Sequence, residues 1–340
     1  MVTSRRFPRV AAAALVVVAL PILAACSGGG GGGGNDKAVN IAYIGYTQPT
    51  AYTIAIRNGA ESVVKKNGGK VTYFAADFDP QKQISQCQDA IASGRYQAII
   101  LSPVDSATGV PCAKAAQKAG IPVGTVETAV GADPFSLKPQ VKGVVVVVAA
   151  PQASWLEAES QILKLACGTT KPCEVIAEIV SPTDAATAGL VTKLEKQLAG
   201  DDIRIVQRIT TGYDPGEVVK NLPDALSAHP NATVFMSISD QSAIAGASVI
   251  KDAGLANKVV ALGLGASSEG IAGVKDGSLL ATTSNWPRQY GQALGTGLTQ
   301  AVEGKKVTNP EIDMYKMSTP MVVTKSNVDS FTPEWGAGTQ

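Results

Sequence analysis

The side chains best suited to chemistry in this 340-residue chain are five cysteines, Cys26, Cys87, Cys112, Cys167 and Cys173, and one histidine, His229. A structural zinc site gathers four thiolate or imidazole ligands, commonly as closely spaced pairs. Lone cysteines at these intervals beside a single histidine do not make one, so no metal is expected. His229 stands before Pro230 at a turn, far in sequence from any serine or cysteine set for nucleophilic attack. Gly263-x-Gly265 lacks the third glycine and the downstream acid of a dinucleotide site, and no Walker loop is present. Neither catalysis nor a cofactor is expected, which leaves the thiols with lipid and disulfide chemistry.

Cys26 closes the stretch Pro21-Ile22-Leu23-Ala24-Ala25-Cys26. Before it, Arg5, Arg6 and Arg9 lead into an apolar run from Val10 to Leu20, the order of a secretory signal and too short for a membrane span. Leu-Ala-Ala-Cys resembles the bacterial lipobox, in which the cysteine thiol takes a diacylglycerol and the cysteine becomes the new N-terminus. Residues 1–25 then form a signal peptide, Cys26 a lipid anchor in the cell membrane, and the glycine-rich stretch to residue 37 a flexible tether. All that follows works outside the cytoplasm, where disulfides persist. The other four cysteines are paired by proximity, Cys87 with Cys112 and Cys167 with Cys173.

The remaining sequence must position these groups, and it has the length for two domains with separate cores. A content of 45% hydrophobic and 17% charged residues is globular. Three of the 29 basic residues leave with the signal while all 28 acidic ones stay, so the mature chain carries −2. Nothing there attracts nucleic acid. β-rich apolar runs alternate with segments of helical period: strands at 39–44, 70–76, 98–101 and 121–126, with helices at 52–66, 80–93 and 105–118 between them. A second series begins at Val141, with the valine run 144–148 as its first strand and strands at 174–180, 203–209, 233–238, 259–262 and 279–284. Its helices fall at 152–166, 185–198, 215–227, 240–253 and 269–275, and a last strand is expected near 321–324. Such alternation predicts parallel sheets with right-handed crossovers, an α/β fold of two doubly wound parallel-sheet lobes. In the sheet order of that fold the helices carrying Cys87 and Cys112 lie side by side on one face. The tail from Pro333 onward reads as poorly ordered.

Several stretches carry a likeness: the Gln48-Pro49 loop before Arg57-Asn58-Gly59-Ala60; Asp79-Pro80 before a glutamine-rich helix; 98–105, Ala-Ile-Ile-Leu-Ser-Pro-Val-Asp; Ala119-Gly120-Ile121-Pro122-Val123; and 276–282. In that order and spacing, from about Val39 to Val323, the chain resembles the periplasmic sugar-binding proteins of the ribose and galactose type, the receptors of ABC importers. The resemblance implies the periplasmic binding protein type I fold, its lobes joined by three crossovers near Thr128, Asn285 and Asp313. The first lobe would be 38–127 plus 286–312 and the second 128–285 plus 313–332, with 333–340 a tail. It further implies a monomer that closes on one small molecule and docks on a membrane permease.

Carried over residue by residue, the resemblance implies a ligand site of Gln48, Thr50, Tyr52, Glu127, Thr128, Tyr213, Ser239, Asp240, Asn285 and Trp286. Tyr52 would stack on the ligand or lie against the first helix, and Asp240 would bind ligand or cap its helix. The family's Asp-Arg pair is replaced by Glu127-Thr128, its second arginine has no counterpart at 184–186, and its Phe-Asp becomes Leu264-Gly265. Each sugar hydroxyl stripped of water and left unpaired costs roughly 1–3 kcal/mol. The expected ligand is therefore a small neutral solute with fewer hydroxyls than a pyranose (a polyol, a deoxy compound or a non-sugar metabolite), and not a strong anion. Delivery to a permease and service to a sensor kinase or chemoreceptor both remain open at this point.

Overall fold

The computed structural model describes residues 38–184, 186–317 and 319–339. The signal peptide, Cys26 and the tether lie outside the described residues. The first half runs β1 (Ile41–Gly45), α1 (Ala51–Val64), β2 (Val71–Ala75), α2 (Pro80–Ala92), β3 (Ala98–Leu101), α3 (Val110–Lys118), β4 (Val123–Glu127) and β5 (Val144–Ala149). It continues with α4 (Gln152–Cys167), β6 (Cys173–Ile179), α5 (Thr187–Leu198), β7 (Ile203–Thr210), α6 (Pro215–Ala228), β8 (Ala232–Met236), α7 (Asp240–Asp252), β9 (Val260–Gly265), α8 (Ser268–Asp276) and β10 (Ala281–Ser284). The chain closes with α9 (Pro287–Val302), β11 (Glu311–Asp313) and β12 (Val322–Thr324).

Two six-stranded sheets result, in the orders β11-β5-β4-β3-β1-β2 and β12-β10-β9-β8-β6-β7. The orders are equivalent strand for strand, so the same doubly wound architecture is used twice. All pairings are parallel except β10 with β12. Strands such as β3 are buried along their whole length, which accounts for their unbroken apolar sequences.

Four sequence expectations need correction. The valine run β5 pairs with β4 and β11 and so belongs to the first sheet. The first crossing between lobes therefore falls between Ala149 and Gln152, not near Thr128. The later crossings fall between Ser284 and Pro287, and between Asp313 and Val322. Second, α3 starts at Val110 rather than Asp105, because Pro111 is tolerated only in a first helical turn. Asp105 instead accepts from the Ala107 and Thr108 amides in a turn. Third, α9 was not anticipated, although Pro287 at its start and Tyr290, Leu294 and Leu298 at four-residue steps mark a buried helix face.

The fourth concerns the tail, which is held in place. Glu334 accepts from the Arg288 and Gln289 amides, supplying the cap that Trp286 cannot give to α9. Trp335 is buried and donates from Nε1 to the Gly265 carbonyl at 2.8 Å. Ser268 and Glu269 of α8 bond Trp335 and Ala337. The C-terminal segment thus ties α8 of the second lobe to α9 of the first.

Cys87 and Cys112 are joined across α2 and α3, with Cα atoms 5.7 Å apart, and Cys167 and Cys173 are joined across the turn after α4. Among the described residues no helix is long and apolar enough to cross a membrane.

Candidate functional site

Loops at the carboxyl ends of parallel strands converge where helix N-termini also point, which is where open α/β sheets bind ligands. A cavity of about 470 Å³ lies there between the two sheets, the size of a small-molecule site. The first lobe lines it with Tyr46 and Thr47 after β1, Thr50, Ala51 and Tyr52 at the start of α1, Phe78 after β2, and Glu127 at the end of β4. The second lobe supplies Tyr213 and Pro215 after β7, Ile238, Ser239 and Gln241 around the start of α7, and Leu264 of β9. Asn285 comes from the crossover and Trp335 from the tail.

Local sequence explains how these side chains are aimed. Thr50 caps α1 through a reciprocal pair with Thr53, so Tyr52 sits in the first turn with its ring toward the cavity. Ser239 caps α7 by accepting from the Ser242 amide. Phe78, Glu127 and Tyr213 all adopt left-handed backbone, with φ of 58°, 70° and 66°. Such strain at non-glycine positions gathers at sites where the fold must aim a side chain. Phe78 and Tyr213, at matching places in the two lobes, each expose about half of their surface (56% and 48%).

A buried carboxylate holds the second lobe's loops. Glu178 on β6 accepts from the Thr211 and Ser237 hydroxyls and the Ile238 amide, fixing the turns that carry Tyr213 and Ser239. Asp240 does related work. It accepts from the Ser267 amide and the Thr282 hydroxyl, both at 2.6 Å, and burial pushes its pKa up to about 6.

Of the ten ligand residues the resemblance implied, six line the cavity: Thr50, Tyr52, Glu127, Tyr213, Ser239 and Asn285. Four do not. Gln48 turns outward to bond Asp77 on the surface. Thr128 follows the left-handed turn at Glu127 and lies outside the lining. Asp240 is spent on the network beneath α7 and is not the cap, a role that Ser239 takes. Trp286 is buried against Phe331, with ring centroids 5.1 Å apart. The aromatic wall expected from Trp286 is supplied instead by Trp335, whose ring meets Tyr52 edge to face. Tyr46 and Phe78 were also missed, though each directly adjoins a loop already marked by Gln48-Pro49 or Asp79-Pro80.

Among the described residues Glu127 is the one acidic or basic side chain in the lining. It accepts from Ser102 Oγ at 2.6 Å and from the Tyr46 hydroxyl at 3.4 Å, and burial outweighs both to push its pKa up to about 7. The Tyr46 and Tyr52 phenols are raised by burial first and by Glu127 second. The site has aromatic faces, hydroxyls, amides and one acid. Among the described residues no group of acids, histidines and cysteines could hold a metal.

A family model described as periplasmic binding protein domain matches residues 41–306. The ribose import binding protein RbsB of Bacillus subtilis (strain 168) is 24% identical over 80% of this chain and 85% of its own. A Mycobacterium smegmatis ABC transporter solute binding protein with bound glycerol superposes with a TM-score of 0.74 at 22% identity, covering 88% of this chain and 99% of its own. One from Actinobacillus succinogenes 130z with bound D-allose gives 0.74 at 23%, covering 86% and 100%.

Proposed function

The chain belongs to the family of periplasmic binding protein domains, and from that premise we propose that it is an extracytoplasmic receptor that captures a small solute between its lobes and delivers it to an ABC permease. The observation that carries this is the composition of the cavity wall, drawn from the carboxyl-end loops of both sheets with a crossover residue between them. A ligand touching both walls favours the approached lobes, so binding shifts the population toward closure. A permease that docks the closed form reads occupancy.

The solute is of sugar or polyol size. The relative named for ribose import and the solved neighbours with glycerol and D-allose support that scale. The lining has no arginine or lysine to grip an anion or a ring of hydroxyls, which favours a ligand with apolar or flat faces against the aromatic rings. Cys26, outside the described residues, is the proposed diacylglycerol anchor. Thermal-shift screening across sugars, polyols, amines and amino acids tests capture, since a ligand at a hundred times its Kd stabilises by about 2.7 kcal/mol. A flat response across all classes would remove the receptor assignment. Loss of fatty-acid labelling and membrane retention in Cys26→Ala tests the anchor; an unlabelled wild type would remove it.

A further inference from the structure

Glu127 lacks a counter-charge among the described residues. Its hydrogen-bond donors are two hydroxyls, of Ser102 after β3 and of Tyr46 after β1. Its charge raises the phenols of Tyr43 on β1, Tyr46, Tyr52 on α1, Tyr73 on β2, Tyr213 after β7 and Tyr290 on α9, in each case after burial or another cause. Among the described residues no lysine, arginine or histidine lines the cavity. A carboxylate held out of water needs hydrogen-bond donors, a proton or a counter-charge, and Glu127 has only two hydroxyl donors. Five aromatic rings share the lining with it, those of Tyr46, Tyr52, Phe78, Tyr213 and Trp335. Aromatic faces attract cations through the ring quadrupole, most strongly when water is excluded.

We propose that the captured solute carries a protonated amine or quaternary ammonium group, which sits among these rings with Glu127 as its counter-ion. The proposal rests on the cavity being the solute site, and it replaces the neutral ligand expected from sequence with a cationic one. Burial holds the empty site's Glu127 near pH 7. A cation binds the ionised form, so its affinity falls up to tenfold per unit as pH drops below 7. A neutral hydroxyl can donate to the carboxylate or accept a hydrogen bond from the protonated acid, so the comparison of charged with uncharged partners separates the two ligand classes.

The test is a thermal-shift and calorimetric titration of the full chain with tetramethylammonium chloride and choline chloride, against sodium chloride at equal ionic strength and 3,3-dimethyl-1-butanol as choline's uncharged isostere. D-glucosamine against D-glucose forms a second pair. The expected result is at least tenfold tighter binding of choline than of its isostere, weakening below pH 7. That preference should fall at least tenfold in Glu127→Gln and survive in Glu159→Gln, which removes a buried acid outside the lining. Equal responses to charged and uncharged partners, no response to any cation, or an unchanged preference in Glu127→Gln would each overturn the proposal. A neutral sugar or polyol that binds and closes the lobes would overturn it while leaving the receptor function intact.

Discussion

The Trp335 ring stands edge-on to Tyr52, with centroids 5.2 Å apart and planes at 79°. One ring comes from the last residues of the chain and the other from the first helix, and together they form one wall of the cavity. The Nε1 bond of Trp335 to the Gly265 carbonyl anchors that wall to the second lobe, so the C-terminal segment both spans the lobes and faces the cavity.

Removing the Trp335 ring should therefore act on binding as well as on stability. Trp335→Ala is expected to weaken solute affinity at least tenfold and to destabilise by about 3–5 kcal/mol, the usual cost of truncating a buried tryptophan. Trp335→Phe keeps a ring but loses the Nε1 donor, leaving the Gly265 carbonyl with only the Asn285 amide at 3.2 Å, a loss of about 1 kcal/mol. Calorimetry on both variants checks the order; unchanged affinity in Trp335→Ala would remove this residue from the site.

The helices α1 and α9 touch backbone to backbone. A Cβ at Gly291 would lie 1.9 Å from the Ile56 carbonyl oxygen, and one at Gly59 2.0 Å from that of Arg288. Neither backbone can yield cheaply, so Gly291→Ala should cost about 3 kcal/mol, the upper end for overpacking. Urea unfolding midpoints measure it.

The Cys87–Cys112 bond closes a separation of 25 residues, which in the chain-entropy account stabilises by roughly 3 kcal/mol. The Cys87→Ser, Cys112→Ser double variant should lose about that much in denaturant unfolding. The Cys167–Cys173 bond closes a separation of 6 and should contribute less.

Stability should also depend on pH through Glu159. Burial lifts its pKa from 4.5 to about 8, more than the Thr283 hydrogen bond lowers it. Between those values the unfolded chain has released the proton and the folded chain keeps it, so stability falls as pH rises, by up to about 1.4 kcal/mol per unit for one proton. Glu159→Gln should flatten this part of the profile between pH 4.5 and 8, and equal slopes for variant and wild type would contradict the assignment.

Sequence patterning carried the alternation of strands and helices because parallel strands buried on both faces leave continuous apolar runs, as in Ala98–Leu101. It could not assign the valine run to a lobe: chain order does not say which sheet edge a strand joins, and β5 lies against β4. The site was legible where a residue adjoins a strand's carboxyl end, as with Glu127 and Tyr213. Asp240 failed because a helix-start acid can turn inward to Thr282 and Ser267 as readily as outward. Trp335 was missed because glycine and proline around it read as disorder, although one of only three tryptophans in the chain was a sign of packing.

Closure of the two lobes on a solute is the central claim, and small-angle scattering tests it most directly. With a solute that calorimetry shows to be bound, the radius of gyration should fall and interlobe distances shorten, in wild type but not in Trp335→Ala at the same concentration. A profile identical with and without bound solute would contradict the account.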